Sequence, residues 1–330
     1  MPSSAFAALD VFPPAVAEDL ERVEARLTDV VRSSREPRLT EITHHLIFAG
    51  GKRIRPAAAL LMFHACVSPG RDGRRGDMTD VATALELIHS ATLLHDDIID
   101  GSDRRRGRDS ALRRFGLADT LVAGDFVFSR AFELCARFEE EIVRWASAAC
   151  VSLTEGEMLQ GRLRHNPTVT IDDYLEIIAR KTASLFELGA RTAAYLAGAG
   201  KDVTAAAAET GHHLGMAFQM IDDLLDVAGH TSETGKPTSA DLRDGNPSMP
   251  IVLALERDPE LRRLFSKPAL DDDDISRTVA RIQASGVLET VRARADSHVT
   301  SALDRIRTLP NPHARDALAA LAERIATRSV

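Results

Sequence analysis

A chain of 330 residues, 44% hydrophobic and 27% charged, has the balance of a globular protein with a large core. Its formal net charge of −8 disfavours a general nucleic-acid role, so an anionic partner must be met by a local basic site. Cys66, Cys135 and Cys150 lack metal-site spacing and suit a reducing cytoplasm, no basic leader opens the chain, and no apolar run reaches the ~20 residues that span a bilayer.

Proline placement predicts long helices, because none occurs between Pro69 and Pro167 or between Pro167 and Pro237. In the N-terminal region, residues 1–35, Leu20, Val23, Leu27, Val30 and Val31 recur at helical spacing. A second helix runs from Leu39 to Phe48 and stops at Gly50-Gly51. Pro56 fits the first turn of a third, which places Lys52 and Arg55 at its start. After a loop over 68–76, a helix from Met78 to Asp100 is expected, with Asp77 or Thr79 as N-cap. Further helices are predicted over Ala118–Phe138, Glu140–His165, Ile171–Ala197 and Thr204–Ala228. Gly, Pro, Ser, Thr and charge dominate residues 229–248, read as a mobile loop, and three weaker helices follow, the last around Ala314–Arg328. With no linker that splits the chain, residues 1–330 read as one all-α domain.

Within the fourth helix, His95-Asp96-Asp97-Ile98-Ile99-Asp100 sets three carboxylates in an apolar run. Asp96 and Asp100 share a face, with Asp97 on its shoulder. Like charges there repel, and their burial is costly unless a cation neutralises them. An oxygen-only donor set suits Mg²⁺. A solvated acidic face is the competing reading, but the pattern returns in Gln219-Met220-Ile221-Asp222-Asp223-Leu224-Leu225-Asp226. The repetition suggests two helices presenting matching carboxylates across one cavity, holding several Mg²⁺ ions and, through them, a diphosphate. A metal-bridged diphosphate leaves readily, because its developing charge is neutralised.

A diphosphate also needs direct donors. The candidates are Lys52, Arg55, Arg105, Arg106, Lys181 and Lys236. Singly, each has a plainer explanation: the Arg104–Arg106 run as a solvated turn, Lys181 as surface decoration, and His89 as a core histidine.

Together these segments closely resemble the all-trans polyprenyl diphosphate synthases. The resemblance rests on Gly50-Gly51-Lys52-Arg53-Ile54-Arg55-Pro56, the first acidic motif with Arg105-Arg106-Gly107, Gly124-Asp125, Gly156-Glu157, Lys181-Thr182, the second acidic motif with its Phe218-Gln219, and Gly235-Lys236. It implies an isoprenoid-synthase helical bundle around a deep central cavity, usually dimeric, and hence a homodimer. It assigns Asp96, Asp100 and Asp222 to about three Mg²⁺ ions, with Asp97, Asp223 and Asp226 in support. Arg105, Lys181 and Lys236 would hold the allylic diphosphate, and Lys52, Arg55, His89 and Arg106 the isopentenyl diphosphate. Thr182 and Gln219 would stabilise the carbocation. The implied reaction is Mg-dependent ionisation, condensation and proton elimination, with pyrophosphate as base and transient membrane contact during product release. One departure stands out: Asn246 occupies a usual lysine position, which predicts weaker allylic-diphosphate affinity, with Arg243 as a compensating cation.

Product length follows from the helix of the first motif. Each turn rises about 5.4 Å, similar to one isoprene unit. Thr92 and Ala91, four and five residues before Asp96, are small, and Ile88 is one turn further up. The tunnel should therefore stay open, with a floor set by Phe126, Phe128 or Phe132 of the neighbouring helix, and a product of roughly six to ten units. The alternatives are a geranylgeranyl diphosphate synthase, a class I terpene cyclase, a non-catalytic prenyl-synthase subunit and a helical scaffold.

Overall fold

A computed structural model describes residues 12–68, 73–228 and 239–328. It is all-α apart from one two-stranded ribbon. The helices are α1 (Pro14–Arg32), α2 (Pro37–Ile47), α3 (Ile54–Cys66), α4 (Arg75–Ile99), α5 (Ala111–Phe115), α6 (Leu117–Cys135), α7 (Glu140–Leu163), α8 (Ile171–Ile178), α9 (Ser184–Leu196) and α10 (Lys201–Ala228), then α11 (Ala240–Asp244), α12 (Met249–Arg257), α13 (Pro259–Phe265), α14 (Asp272–Ala284), α15 (Val287–Ile306) and α16 (Pro312–Ala326). Two compact units form. One comprises the described residues up to Ala146 with Leu188–Ala208 and Thr308–Leu318, and the other Ser147–Glu187 with Glu209–Arg307 and the chain from Ala319.

In the first unit, α1 buries the stripe read from its spacing: Val16, Leu20, Val23 and Leu27 are fully enclosed. Helix α3 buries nearly every side chain from Pro56 to Phe63, as its unbroken apolar run requires. Helix α4 packs against α1, α3 and α6. Where α6 faces α4, Gly124 leaves room for the His95 imidazole, since a Cβ there would lie 2.2 Å from its Nε2. In the second unit the core gathers Tyr174 and Ile178 of α8, Met220, Ile221 and Leu224 of α10, Ile251–Leu255 of α12 and Val287, Val291 and Ala295 of α15. Thr170 and Asp173 close a capping box at the start of α8.

Several expectations need correction. Helix α4 begins earlier than predicted, with Arg74 at its N-cap, while Asp77 in its first turn accepts from Arg74 Nε at 2.5 Å. The 171–197 helix is interrupted by a π-helical turn over Ala179–Ala183. The predicted loop over 229–248 contains α11, and among the described residues five helices rather than three follow residue 248. Residues 229–238 lie outside the described residues. The Arg104–Asp109 ribbon and α5 had no counterpart in the periodicity, being too short to show one.

Candidate active site

In the first unit, the end of α4 presents the first acidic motif. Asp96 and Asp100 are half-buried, whereas Asp97 is fully enclosed. One Asp97 carboxylate oxygen accepts from Nε and Nη2 of Arg105, both at 2.8 Å, and the other from the Ala111 backbone N–H at 3.3 Å. Asp97 thus ties the ribbon and the start of α5 to the end of α4. Strands β1 (Arg104–Arg105) and β2 (Arg108–Asp109) pair antiparallel. Arg106 and Gly107 form the two-residue turn at φ 52° and 75°, the left-handed geometry such hairpins need. The turn brings the Arg106 guanidinium to the Gly50 carbonyl.

Lys52 and Arg55 bracket the start of α3, as predicted, with Lys52 exposed and Arg55 half-buried. His89 stands two turns before Asp96 on α4. Burial, reinforced by the charges of Arg55, Arg106, Arg105 and Arg53, holds its imidazole well below the usual range, so it is neutral at pH 7. A histidine felt by four arginines marks a positive site in an otherwise acidic chain. On the same helix Ala91 and Ile88 are buried, and the Thr92 hydroxyl donates to the His89 carbonyl at 2.8 Å. Phe132 lies half-buried on α6 against Phe128, ring centroids 5.1 Å apart.

In the second unit, the π-helical turn carries Lys181 and Thr182. Such turns often mark functional positions. Gly156 of α7 permits the approach, since a Cβ there would lie 2.8 Å from the Lys181 backbone nitrogen. Lys181 pairs with Glu157 of the same helix. The Thr182 hydroxyl donates to Gln219 Oε1 and Gln219 Nε2 donates to Asp223 Oδ1, each at 2.8 Å. The Met249 N–H donates to the other Asp223 oxygen at 3.1 Å. Burial raises the Asp223 carboxyl to about 7, against the pull of these donors. Asp226 accepts from the Ala240 and Asp241 N–H groups at 3.1 and 3.2 Å, so it anchors the start of α11. Of the second triad, then, Asp223 and Asp226 brace the chain.

Asp222 forms an ion pair with Arg328 at 2.7 Å, and that guanidinium also lies 5.1 Å from the Phe218 ring centroid. Lys236 lies outside the described residues. Asn246 is buried and donates its backbone N–H to the Asp241 carbonyl at 2.8 Å. Arg243, proposed to compensate for it, instead pairs with Asp272 at 2.9 Å.

The carboxylate oxygens of Asp96, Asp100 and Asp222 are the hard donors Mg²⁺ takes, and each remains partly exposed. Among the described residues no three His, Cys, Asp or Glu side chains are gathered as a metal site. Sequence reading missed Arg53, Glu86 and Arg328. Glu86 had a signal, a lone acid between Leu85 and Leu87 on an apolar helix, whereas Arg328 had none.

Carboxylates at one-turn spacing beside a guanidinium cluster suit an enzyme of phosphorylated substrates. The chain belongs to the polyprenyl synthetase family, whose model matches residues 36–282, and it is a prenyltransferase. It is 32% identical to the octaprenyl diphosphate synthase of Escherichia coli over 93% of this chain and 94% of that one. It is 34% identical to a short chain isoprenyl diphosphate synthase of Methanothermobacter thermautotrophicus, over 93% and 94% of the two chains. The crystal structure of a decaprenyl diphosphate synthase from Rhodobacter capsulatus superposes with a TM-score of 0.86 at 33% identity, covering 96% of this chain and 98% of that one.

Proposed function

We propose that this prenyltransferase is an all-trans polyprenyl diphosphate synthase that condenses isopentenyl diphosphate with an allylic diphosphate. The observation that carries the reading is the cluster of Arg55, Arg105 and Arg106 around neutral His89, two turns from Asp96. Asp96, Asp100 and Asp222 would hold Mg²⁺, about three ions in all. Bound Mg²⁺ neutralises the charge that develops on the leaving diphosphate.

The chain's own residues do the rest. Lys52, Arg55 and Arg106 donate to the isopentenyl diphosphate, and His89 adds a neutral donor that those cations do not repel. Arg105, oriented by Asp97, grips the allylic diphosphate with Lys181 and Lys236. Thr182 and Gln219 turn their oxygen dipoles toward the carbocation, with the Gln219 amide fixed by Asp223. The departing diphosphate accepts the proton. The relatives' names span short and long products, so length rests on α4: small Ala91 and Thr92 leave room for roughly six to ten units at one turn per unit. Asn246 lowers allylic affinity, and Arg243, held by Asp272, does not offset it.

Exposed Leu117, Leu121 and Val122 on α6 support a homodimer, being an apolar stripe that a second copy would cover. No helix among the described residues is long and apolar enough to cross a membrane. Product release through transient membrane contact fits that form. The three cysteines, all buried and in no disulfide among the described residues, suit the cytoplasm. The reading is tested by Asp96→Asn and Asp222→Asn, each of which should reduce turnover at least ~100-fold while leaving the far-ultraviolet circular dichroism unchanged. Retained turnover in both would sink it.

A further inference from the structure

We propose that Arg53 is a positioning residue for the isopentenyl-diphosphate pocket: it engages Glu24 and Glu86 and so leaves the Arg106 guanidinium to the substrate. This rests on the function proposed above, in which Lys52, Arg55 and Arg106 bind that diphosphate.

Arg53 lies between Lys52 and Arg55 in sequence, yet its side chain is 1% exposed. Its Nε donates to Glu24 of α1 at 2.7 Å, Nη1 to Glu86 of α4 at 2.7 Å, and Nη2 to the Ile47 carbonyl that ends α2 at 2.8 Å. One guanidinium thus fixes the start of α3 to three other helices. Its backbone is left-handed, at φ 46° and ψ 37°, which a non-glycine residue holds only when its surroundings over-determine it. That conformation turns Arg53 into the core while its neighbours remain at the surface.

The electrostatic consequence matters as much as the geometry. Glu86 is 3% exposed and sits one turn before His89, inside the arginine cluster. A buried carboxylate without a cation is costly, so it takes whichever cation is near. Arg106 is near. A Cβ on Gly51 would lie 3.1 Å from both Arg53 Nη1 and Arg106 Nη2, so the two guanidinia flank one glycine. Glu86 also acts on Arg106 as its largest favourable charge, against burial and the neighbouring arginines. Yet Arg106 pairs with no carboxylate among the described residues and bonds to the Gly50 carbonyl. Arg53 is what holds Glu86 away from it.

The test uses the full chain with three variants: Arg53→Met, Arg53→Lys and Arg53→Met combined with Glu86→Gln. Calorimetry with inorganic diphosphate, without divalent cation, gives Kd, and steady-state kinetics separate the isopentenyl-diphosphate KM from kcat. Arg53→Met should raise Kd and KM about 30-fold with kcat within about 3-fold, because Glu86 then competes for Arg106. Adding Glu86→Gln should recover roughly 10-fold of that loss, a rescue that a merely structural role for Arg53 would not show. A double variant that binds as weakly as Arg53→Met overturns the proposal, as does an unchanged Arg53→Met. If Arg53→Met does not fold, the same comparison is made in Arg53→Lys, whose ammonium serves one carboxylate at a time; absence of rescue by Glu86→Gln there also overturns it. A wild-type chain that neither binds diphosphate nor turns over isopentenyl diphosphate defeats the underlying functional reading instead.

Discussion

Asp97→Asn separates the two roles that the first acidic motif combines. The wild-type carboxylate is fully enclosed and accepts two N–H groups of Arg105 on one oxygen and the Ala111 N–H on the other. An asparagine of the same shape keeps one acceptor, but turns an NH₂ toward groups that are themselves donors. Breaking a buried ion pair costs about 3–5 kcal/mol when the remaining charge stays buried. Arg105 is 24% exposed and can rehydrate, so the loss here should be nearer ~2–3 kcal/mol. In a chain of this size each kcal/mol moves the melting point by about 1.5 °C, which gives a fall of roughly 3–5 °C. Differential scanning calorimetry at fixed protein concentration and scan rate reads this directly. Asp96→Asn is the control: it removes one member of a like-charged pair and should move Tm by less than ~2 °C while abolishing turnover. An Asp97→Asn protein that melts with the wild type but has lost turnover would refute the bracing role and place that carboxylate at the substrate or metal.

Four further outcomes are expected. His213 and His298 meet with their Nδ1 atoms 2.9 Å apart, linking α10 to α15 among Arg305, His212, Glu209 and Arg294; burial first, then neighbouring positive charge, lowers both and brings His298 to about 4. The unfolded chain therefore takes up protons near pH 6.5 that the native state resists, so Tm should fall as pH drops from about 6.5 to 4, less steeply in His298→Gln; parallel profiles would contradict this. Thr92→Phe should shorten the product by one or more isoprene units, read by reversed-phase chromatography, and an unchanged distribution would remove α4 as the ruler. Arg328→Gln should tighten Mn²⁺ binding about 2- to 5-fold in calorimetry without substrate, since a half-exposed pair contributes no more than ~1 kcal/mol; weaker binding would make Arg328 a support for the site. Asn246→Lys should lower the allylic KM, and a KM equal to wild type would show that the missing cation is immaterial.

The helical architecture was legible because it rests on patterns repeated over many residues. The α1 stripe, the continuous apolar run of α3 and the proline-free spans each state a period or a permission. The acidic motifs were legible for the opposite reason, as charges where the period demands apolar groups. What escaped was set by single long-range contacts. Arg53 reads as one more basic residue in a basic stretch, and only the left-handed turn at the start of α3 shows it facing Glu86. Arg328 and Asp222 are 106 residues apart, and neither one's neighbours announce the other. The Arg104–Asp109 ribbon is two residues per strand, below the length at which alternation can be seen.

The most direct measurement is incubation of the purified chain with Mg²⁺, labelled isopentenyl diphosphate and each allylic primer in turn, followed by chromatography of the hydrolysed products. A ladder of all-trans products ending at roughly six to ten units is predicted, from one unit per turn of α4. A product that stops at four units would keep the chemistry and overturn the open tunnel. No elongation with any primer, from a folded protein, would contradict the central claim.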